Sequence, residues 1–592
     1  MLIITSILGF SLGGCFISKD SQVSESIPTQ SVYSDFDTIT VISSTVEEGN
    51  LIFNRVESSL TPNNPLSTVR TVPVLGNDSA RKHKSYPKES YKYGGTLKLI
   101  SRQPFLHQDV HLEVSPSLST WGPGIVYSRL LKFDSKHGLN TSISPVLVCD
   151  LCESWEMESD RTYIFKLRSD VLWHNMKPTY GRRLVPEDIQ YSYNRQRQDG
   201  WPNSKMFSSI SNIDIDENKS IRINLRFTDA DLLNAIADAR SKIISPESVQ
   251  LSGDLKNGPS VGTGPWIFNP IHNGGVYKFE KNLNYFENNL PYVDRLLINV
   301  IMDPETRIAA FKVKLIDVKQ REQLLVDQDD AETNLSKDNS ISIIEHGVGM
   351  TLSLNSRRYP FNNPTAREAT FMAMDPWNAS KEVWLDTAYV SLGFPSMKSQ
   401  WLLKDDELRK FFNQPDRARD IMRAEYTERL IPVTISVGDF GNMYLKHAEY
   451  VSQELKYIGF DPVIQLINRR TYGEDIWVKG HYSIALGPVP PINSLNRYLI
   501  PLFHSEGIWN STRHTDKYLD GLLQAQSKEL DQTSRKELLI EIQRVVLRKS
   551  IRYMPATKIT VWMWLPRVKD FLPTFEGYGY SHWAELWLLD NT

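Results

Sequence analysis

The sequence predicts an α/β protein divided into two or three lobes. Three observations predict this. SWEMES (154–159) and TYIFKLR (162–168) alternate apolar and polar residues about a turn at Ser159-Asp160-Arg161, the pattern of paired strands. A helix start follows, with Pro186 ahead of Glu187 and Asp188; proline fits the first turn and acids suit the positive end of the helix dipole. The chain has 592 residues, 40% hydrophobic and 23% charged, a globular profile too long for one ordinary core. Its formal net charge of −3 gives no reason to expect a nucleic-acid partner. No stretch approaches 18 consecutive apolar residues, so no transmembrane helix is expected.

In chain order, the start reads MLIITSILGFSLGGC. Leu2 to Leu12 is too short to span a bilayer but suits the apolar core of a signal peptide. Leu12-Gly13-Gly14-Cys15 resembles the bacterial lipobox, in which the cysteine is lipidated and becomes the new N-terminus. Residues 1–14 are therefore expected to be a signal peptide and Cys15 a lipid anchor in the membrane. Residues 15–90 are rich in Ser, Thr, Pro and Asn, a composition that buries too little apolar surface to offset chain entropy. They read as a flexible tether, with TITVIS and NLIFNRV as candidates for local structure. The folded body is expected from YKYGGTLKLIS, where Gly94-Gly95 precedes an alternating run.

The chain has three cysteines. If Cys15 carries lipid, Cys149 and Cys152 remain, and a disulfide between them balances the count in an oxidising compartment. Two reduced, buried thiols are the alternative. One CxxC supplies only two of the four ligands of a structural zinc site, and the context is not the strand-to-helix turn of a redox motif.

The stretch Leu151 to Arg197 resembles the signature region of the extracellular solute-binding proteins of ABC importers, in the peptide/nickel class that includes oligopeptide- and dipeptide-binding proteins. The resemblance is carried by Ser154-Trp155-Glu156, by Asp160 with Thr162, Tyr163, Phe165, Leu167 and Arg168, by Val171, Trp173 and His174, and by Glu187-Asp188 with Ile189, Tyr191 and Ser192. Asn175-Met176 departs from the family's usual Asp-Gly. Further pieces follow the family order: Asp109-Val110-His111, GTGPWIF (262–268), LSLNSRRYPFNNPTAREATFMAMD (352–375), HAEYVSQELKYIGFDPVIQ (447–465) and ELDQTSRKELLIEIQRVV (529–546).

The resemblance implies a two-lobed periplasmic-binding-protein (Venus-flytrap) fold with an extra subdomain on the first lobe. Mapped here, the first lobe takes 91–140, 262–345 and the return 551–592, the subdomain 141–261 and the second lobe 346–550. It implies a monomer without a cofactor. A peptide or other small solute would sit between the lobes and be delivered to the transmembrane subunits of an ABC permease. The same fold could serve a solute sensor or chemoreceptor partner with no transporter, or, third, an extracytoplasmic hydrolase. The location would be the periplasm or the outer face of the cytoplasmic membrane.

A solute cleft is expected to be apolar with a few placed polar groups. The candidates are Trp121, Trp266, Trp377, Trp401, Trp509 and Asn510, each with core packing as the plainer reading; Trp155 and Trp173 are expected to be structural. Peptide-binding relatives place an aspartate in the second lobe to neutralise the ligand's amine. Here no Asp or Glu occurs between Asp475 and Glu506, and Pro490-Pro491 stands about where the acid would fall. A buried ammonium without a counter-charge is costly. Arg497 could instead pair with a carboxylate or phosphate, unless it is simply a solvated surface residue.

Other chemistry finds little support. His107 and His111 have the spacing of a helical metal pair, but Gln108 stands where a metallopeptidase needs Glu. GTGPW lacks the lysine of a phosphate loop, and GDFGNMY contains no G-x-S-x-G elbow. No catalytic residue, metal site or cofactor is expected.

Overall fold

The computed structural model describes residues 42–44, 93–102, 104–112, 118, 122–134, 147–269, 275–320, 340–384, 389–391, 401–427, 430–488, 494–572 and 582–589. Cys15, Trp121, Pro490 and Pro491 lie outside the described residues. From the expected tether, Ile42–Ser44 forms a short strand, overlapping the end of TITVIS and antiparallel to Ile341–Ile343.

The first lobe opens with β1 (Thr96–Ser101). Its alternation puts Leu97, Leu99 and Ser101 on one buried face. Gly94 and Gly95 ahead of it adopt φ of 109° and 89°, which favours glycine there.

The chain then builds the subdomain. Cys149 and Cys152 are joined in a disulfide, with their Cα atoms 5.0 Å apart. β2 (Cys152–Ser159) and β3 (Thr162–Leu167) form the expected antiparallel pair. Helix α1 (Pro186–Gln196) follows, then β4 (Ile210–Ile215), β5 (Ile221–Leu225), α2 (Leu232–Ala237) and α3 (Pro246–Ser252). The sheet order is β2-β3-β5-β4, all antiparallel. Its core holds Tyr163, Phe165, Ile221 and Ile223 against Ile189 and Tyr193 of α1. β2 lies at the sheet edge with seven of its eight residues exposed. Trp155 is therefore 36% exposed, opposite Phe165, rather than packed inside. Trp173 is buried.

Back in the first lobe run β6 (Trp266–Asn269), β7 (Val276–Lys281) and β8 (Arg295–Val300). The order is β1-β8-β7-β6, with only β1 and β8 parallel. Leu97, Trp266, Phe279 and Leu296 form its core with Trp562 and Trp583 of the returning C-terminal segment. The boundary between first lobe and subdomain is interleaved. Ile244, Val249 and Leu255 pack in the first-lobe core, whereas Phe286 packs in the subdomain core.

Two long antiparallel strands connect the lobes, β9 (Ser340–Leu354) and, returning much later, β13 (Arg552–Trp564). One end of β13 pairs with Val318–Gln320 of the first lobe, and one end of β9 pairs inside the second lobe. Their register slips between Glu345 and Gly349 and again between Met350 and Leu352. Bulges of this kind interrupt the ladder locally and let strands bend.

The second lobe contains β10 (Ile431–Gly438), α4 (Asn442–Tyr457), β11 (Phe460–Ile467), β12 (Ile484–Pro488), α5 (Leu495–Phe503), α6 (Lys517–Lys528) and α7 (Gln532–Arg548). β10 lies between β11 and β12, parallel to both. Side-chain caps fix the helix starts: Asp516 accepts from the Tyr518 and Leu519 amides, and Asp531 from that of Ser534. Leu352, Ile435, Leu486, Leu499 and Ile542 share one core. The fold is the two-lobed α/β arrangement, with the subdomain set on the first lobe.

Candidate functional site

The three parallel strands of the second lobe end on one edge, at Gly438, Ile467 and Pro488. In open α/β sheets ligands occupy the crevice beyond the carboxyl ends of such strands. Here that edge carries an aromatic cluster. Tyr472 lies 5.6 Å from Phe440 and 6.0 Å from Trp477, both edge to face. The Trp477 indole donates to the Pro488 carbonyl at 3.0 Å, and Arg469 donates to the Asp439 carbonyl while its guanidinium stands 5.4 Å from the Phe440 ring. A Cβ on Gly438 or Gly487 would collide with Phe440 or the Tyr472 hydroxyl, so both glycines make room for these rings. Sequence reasoning missed this cluster. GDFGNMY holds the available signal, a glycine two residues before the aromatic it makes room for.

The residues chosen from sequence are spread apart. Trp266 is fully buried in the first-lobe core. Trp377 donates to Asp405 at 2.7 Å and lies 4.0 Å beneath the Arg409 guanidinium. Trp401 is buried, and its carbonyl accepts from Gln543. Trp509 packs partly buried against the same second-lobe core. The Asn510 side chain donates to the carbonyls of His504, Ser505 and His514 and accepts from Thr512, so its polar atoms are spent in shaping that loop. The structure thus gathers Trp377, Trp401 and Trp509 around one core and leaves Trp266 in another.

Arg497 is different. It lies in the first turn of α5, close after the end of β12, where the second lobe meets the subdomain. The neighbouring Asn496 amide donates to Asp231 at 2.8 Å, and its side chain donates to Asp229 at 3.1 Å. Asp231 also pairs with Arg535 of α7 at 2.9 Å, both side chains buried. Burial alone would raise the Asp231 pKa, but Arg535 and the Asn496 amide outweigh it and hold the carboxyl below the usual range. Burial and the charge of Asp231 push Asp229 up. The Ala230 amide donates to the Ser527 carbonyl at 2.9 Å. Arg497 itself is partly exposed, and among the described residues it makes no hydrogen bond or ion pair. Burial, then the nearby Arg240 charge, push its pKa down to about 9.

The family-like motifs are structural joints instead. Trp173 and Arg182 both donate to Asp188, which also accepts from the Val185 amide at the start of α1. His174 contacts the Gly264 carbonyl at 3.0 Å and the Gly262 amide at 3.4 Å. Asp109 pairs with Arg195, both buried, and accepts from the Leu255 amide. His111 contacts the Lys242 carbonyl at 2.8 Å. Burial pushes His111 and His174 down to about 4, so both are neutral at pH 7. Among the described residues, no group of three or more His, Cys, Asp or Glu could hold a metal ion. A cavity of about 590 Å³ lies between α1 and α3, lined by Tyr191, Arg195, Trp201 and Lys256, away from the second-lobe edge. Among the described residues, no helix is long and apolar enough to cross a membrane.

The family model of bacterial extracellular solute-binding proteins, family 5 Middle, matches residues 146–510. The chain is 24% identical over 437 residues to di/tripeptide-binding protein 2 of Pseudomonas aeruginosa, covering 68% of this chain and 79% of that protein. Its fold matches the ABC transporter substrate-binding protein CtaP of Listeria monocytogenes with a TM-score of 0.71 at 17% identity, over 84% of this chain and all of that one. It matches DppA of Helicobacter pylori, solved with the peptide STSA, with a TM-score of 0.66 at 20% identity, over 85% of this chain and 100% of that one. Lobes, hinge strands, subdomain and family model agree: the chain belongs to the bacterial extracellular solute-binding proteins, family 5.

Proposed function

We propose that this chain is the substrate-binding lipoprotein of an ABC importer, capturing a peptide or another small solute between its lobes. The observation that carries the reading is the pair of hinge strands β9 and β13, which join a first lobe with its subdomain to a second lobe whose parallel strands all end on one edge. Closure over a solute is a ligand-driven population shift, because the closed state makes more ligand contacts. The relative named as a di/tripeptide-binding protein and the DppA structure holding a tetrapeptide favour a peptide-sized ligand. The closed form would present both lobes to a permease. A lipid on Cys15 would keep the protein near that permease and raise its effective concentration. The location is extracytoplasmic in this reading, and the chain acts as a carrier, not an enzyme.

Thermal melts and small-angle scattering with di- and tripeptide libraries test the proposal. Binding to the native state raises the melting temperature by mass action, and closure lowers the radius of gyration. A chain that responds to no solute, or returns its solute chemically altered, is not this carrier.

A further inference from the structure

Asp231 stands at the start of α2, a position from which an aspartate commonly caps its own helix. It makes no such cap, and its carboxylate serves the second lobe instead. It accepts from the Asn496 amide at 2.8 Å and from Arg535 at 2.9 Å. Around this pair, Arg535 donates to the Ala230 carbonyl at 3.3 Å, the Ala230 amide donates to the Ser527 carbonyl at 2.9 Å, and the Asn496 side chain donates to Asp229 at 3.1 Å. Asp231 and Arg535 are both buried. Each side of the seam is also ordered within its own body. Asp229 accepts from Ser209 and from the Asp231 amide, while Gln526 and Arg535 both donate to the Asn496 side-chain oxygen. Groups already held in place lose little freedom when they meet. None of the bonds across the seam needs a solute atom.

We propose that Asp231 and Arg535 are positioning residues for solute capture: they form a latch that holds the subdomain against the second lobe in empty and loaded protein alike, so that solute enters and leaves only when this seam parts. A bound solute stays longer because release must first separate a buried ion pair. Entry is slower because part of the empty population is shut, and only the open fraction receives solute. Neither residue needs to touch the solute to do this. The inference rests on the solute-binding reading and deepens it by naming the protein contact that times uptake and release.

The test uses the full chain, small-angle scattering and a mixed tripeptide library with free termini. Without the library, Asp231→Ala and Arg535→Ala should each raise the radius of gyration. With it, both should contract to the loaded wild-type value, a larger contraction than the wild type itself shows. A segment that had merely unfolded would not return in this way. In stopped-flow tryptophan fluorescence the library should both associate and dissociate faster than with the wild type, dissociation by about five- to a hundredfold, the range of an ordinary coupling between sites. The double variant Asp231→Ala/Arg535→Ala should add little to either single change, since each alone removes the pair. Arg535→Lys keeps the charge and should fall in between. Asn496→Ala leaves the Asp231–Arg535 pair in place, should act more weakly in the same direction, and serves if the other variants do not fold. Unchanged radii without the library, association no faster than in the wild type, or single effects that add in full in the double variant overturn the latch and leave solute binding standing. A raised radius with no response of wild type or variant to the library supports the latch while removing the peptide reading. Unchanged radii and a silent library overturn both.

Discussion

The subdomain touches both lobes, and the two contacts are made of different materials. Towards the first lobe the contact is apolar, interleaved and deep. Ile244, Val249 and Leu255 pack in the neighbouring core, Phe286 packs in the reverse direction, and the buried Asp109–Arg195 pair and His174 are set among them. Towards the second lobe it is a polar patch of Asp229, Asp231, Asn496 and Arg535. Among the described residues, no second-lobe side chain joins the subdomain's apolar core. Apolar burial is lost in full when a contact opens, whereas polar groups can exchange their partners for water. The first contact should therefore stay shut and the second should be the one that works. On this reading the subdomain moves with the first lobe, and the seam beside Arg497 opens and closes.

The comparison is broken most directly at the first contact. Arg195→Met leaves the fully buried Asp109 carboxylate without its cation. Breaking a buried pair in this way costs about 3–5 kcal/mol. The expected result is a large loss of stability in chemical denaturation, with no change in the unliganded scattering profile of the protein that stays folded. A variant that opens the molecule without destabilising it would place the moving joint at the wrong seam.

Acid should weaken the same contact, together with the second-lobe core, where burial pushes His447 to about 3 and His514 to about 4. His111 and His174 have their pKa pushed to about 4 by burial, below the ordinary value of 6.5. The unfolded chain therefore takes up protons that the folded one refuses. The stability of the neutral, buried histidines is fully present above pH 6.5, is lost as the pH falls from there, and stops falling near pH 4. At pH 5 the loss is about 2 kcal/mol for each histidine. Asp231 at the second seam is held below the usual aspartate range, so its contribution is present above about 4 and is lost only below that. Denaturation midpoints measured between pH 7 and 4.5 should fall, and Asp231→Asn should leave the slope over that interval unchanged.

The second seam should respond in shape more than in stability. Asp231→Ala removes the partner of Arg535 and of the Asn496 amide. Because the lobes can part and hydrate the arginine, the cost should be nearer about 1–3 kcal/mol than the cost at the fixed joint. The radius of gyration without ligand should rise. If Asp231→Ala costs as much as Arg195→Met and leaves the shape unaltered, the two seams are equivalent.

Legibility from sequence follows the same division. The strand pair at 152–167 and the helix at Pro186 follow local alternation and turn chemistry, and the strand that starts in GTGPWIF falls on a family-like motif. The family-like motifs carry the first contact: Trp173 and Asp188 are joined over 15 residues within one motif, whereas His174–Gly264 and Asp109–Arg195, 90 and 86 residues apart, join one motif to another. The second seam was not legible. It joins Asp231 to Arg535, 304 residues later, and neither residue stands in a pattern that announces its partner. The aromatic edge was missed for a related reason, since Phe440 follows β10 while Tyr472 and Trp477 follow β11, and they meet only because those strands end together. The tryptophans suit an apolar cleft wall and a core equally well, so their residue type does not distinguish the two. Arg497 was legible as a cation, but that it makes no hydrogen bond or ion pair among the described residues is a fact of packing.

The smallest effect is expected at a charged pair that belongs to neither seam. Glu407 and Arg544 form a bidentate pair within the second lobe, at 2.6 and 3.2 Å, with side chains 26% and 39% exposed. Its geometry is as good as that of Asp231–Arg535. Water already reaches both groups, so losing one leaves the other solvated, and exposed pairs of this kind contribute about 0.2–1 kcal/mol. Glu407→Gln should therefore shift the denaturation midpoint barely, leave the scattering profile unchanged, and lose what little effect it has as salt is raised. A loss equal to that of Asp231→Ala would mean that burial between moving bodies adds nothing to an ion pair, and the contrast between seam and surface would have to rest on something other than solvent access.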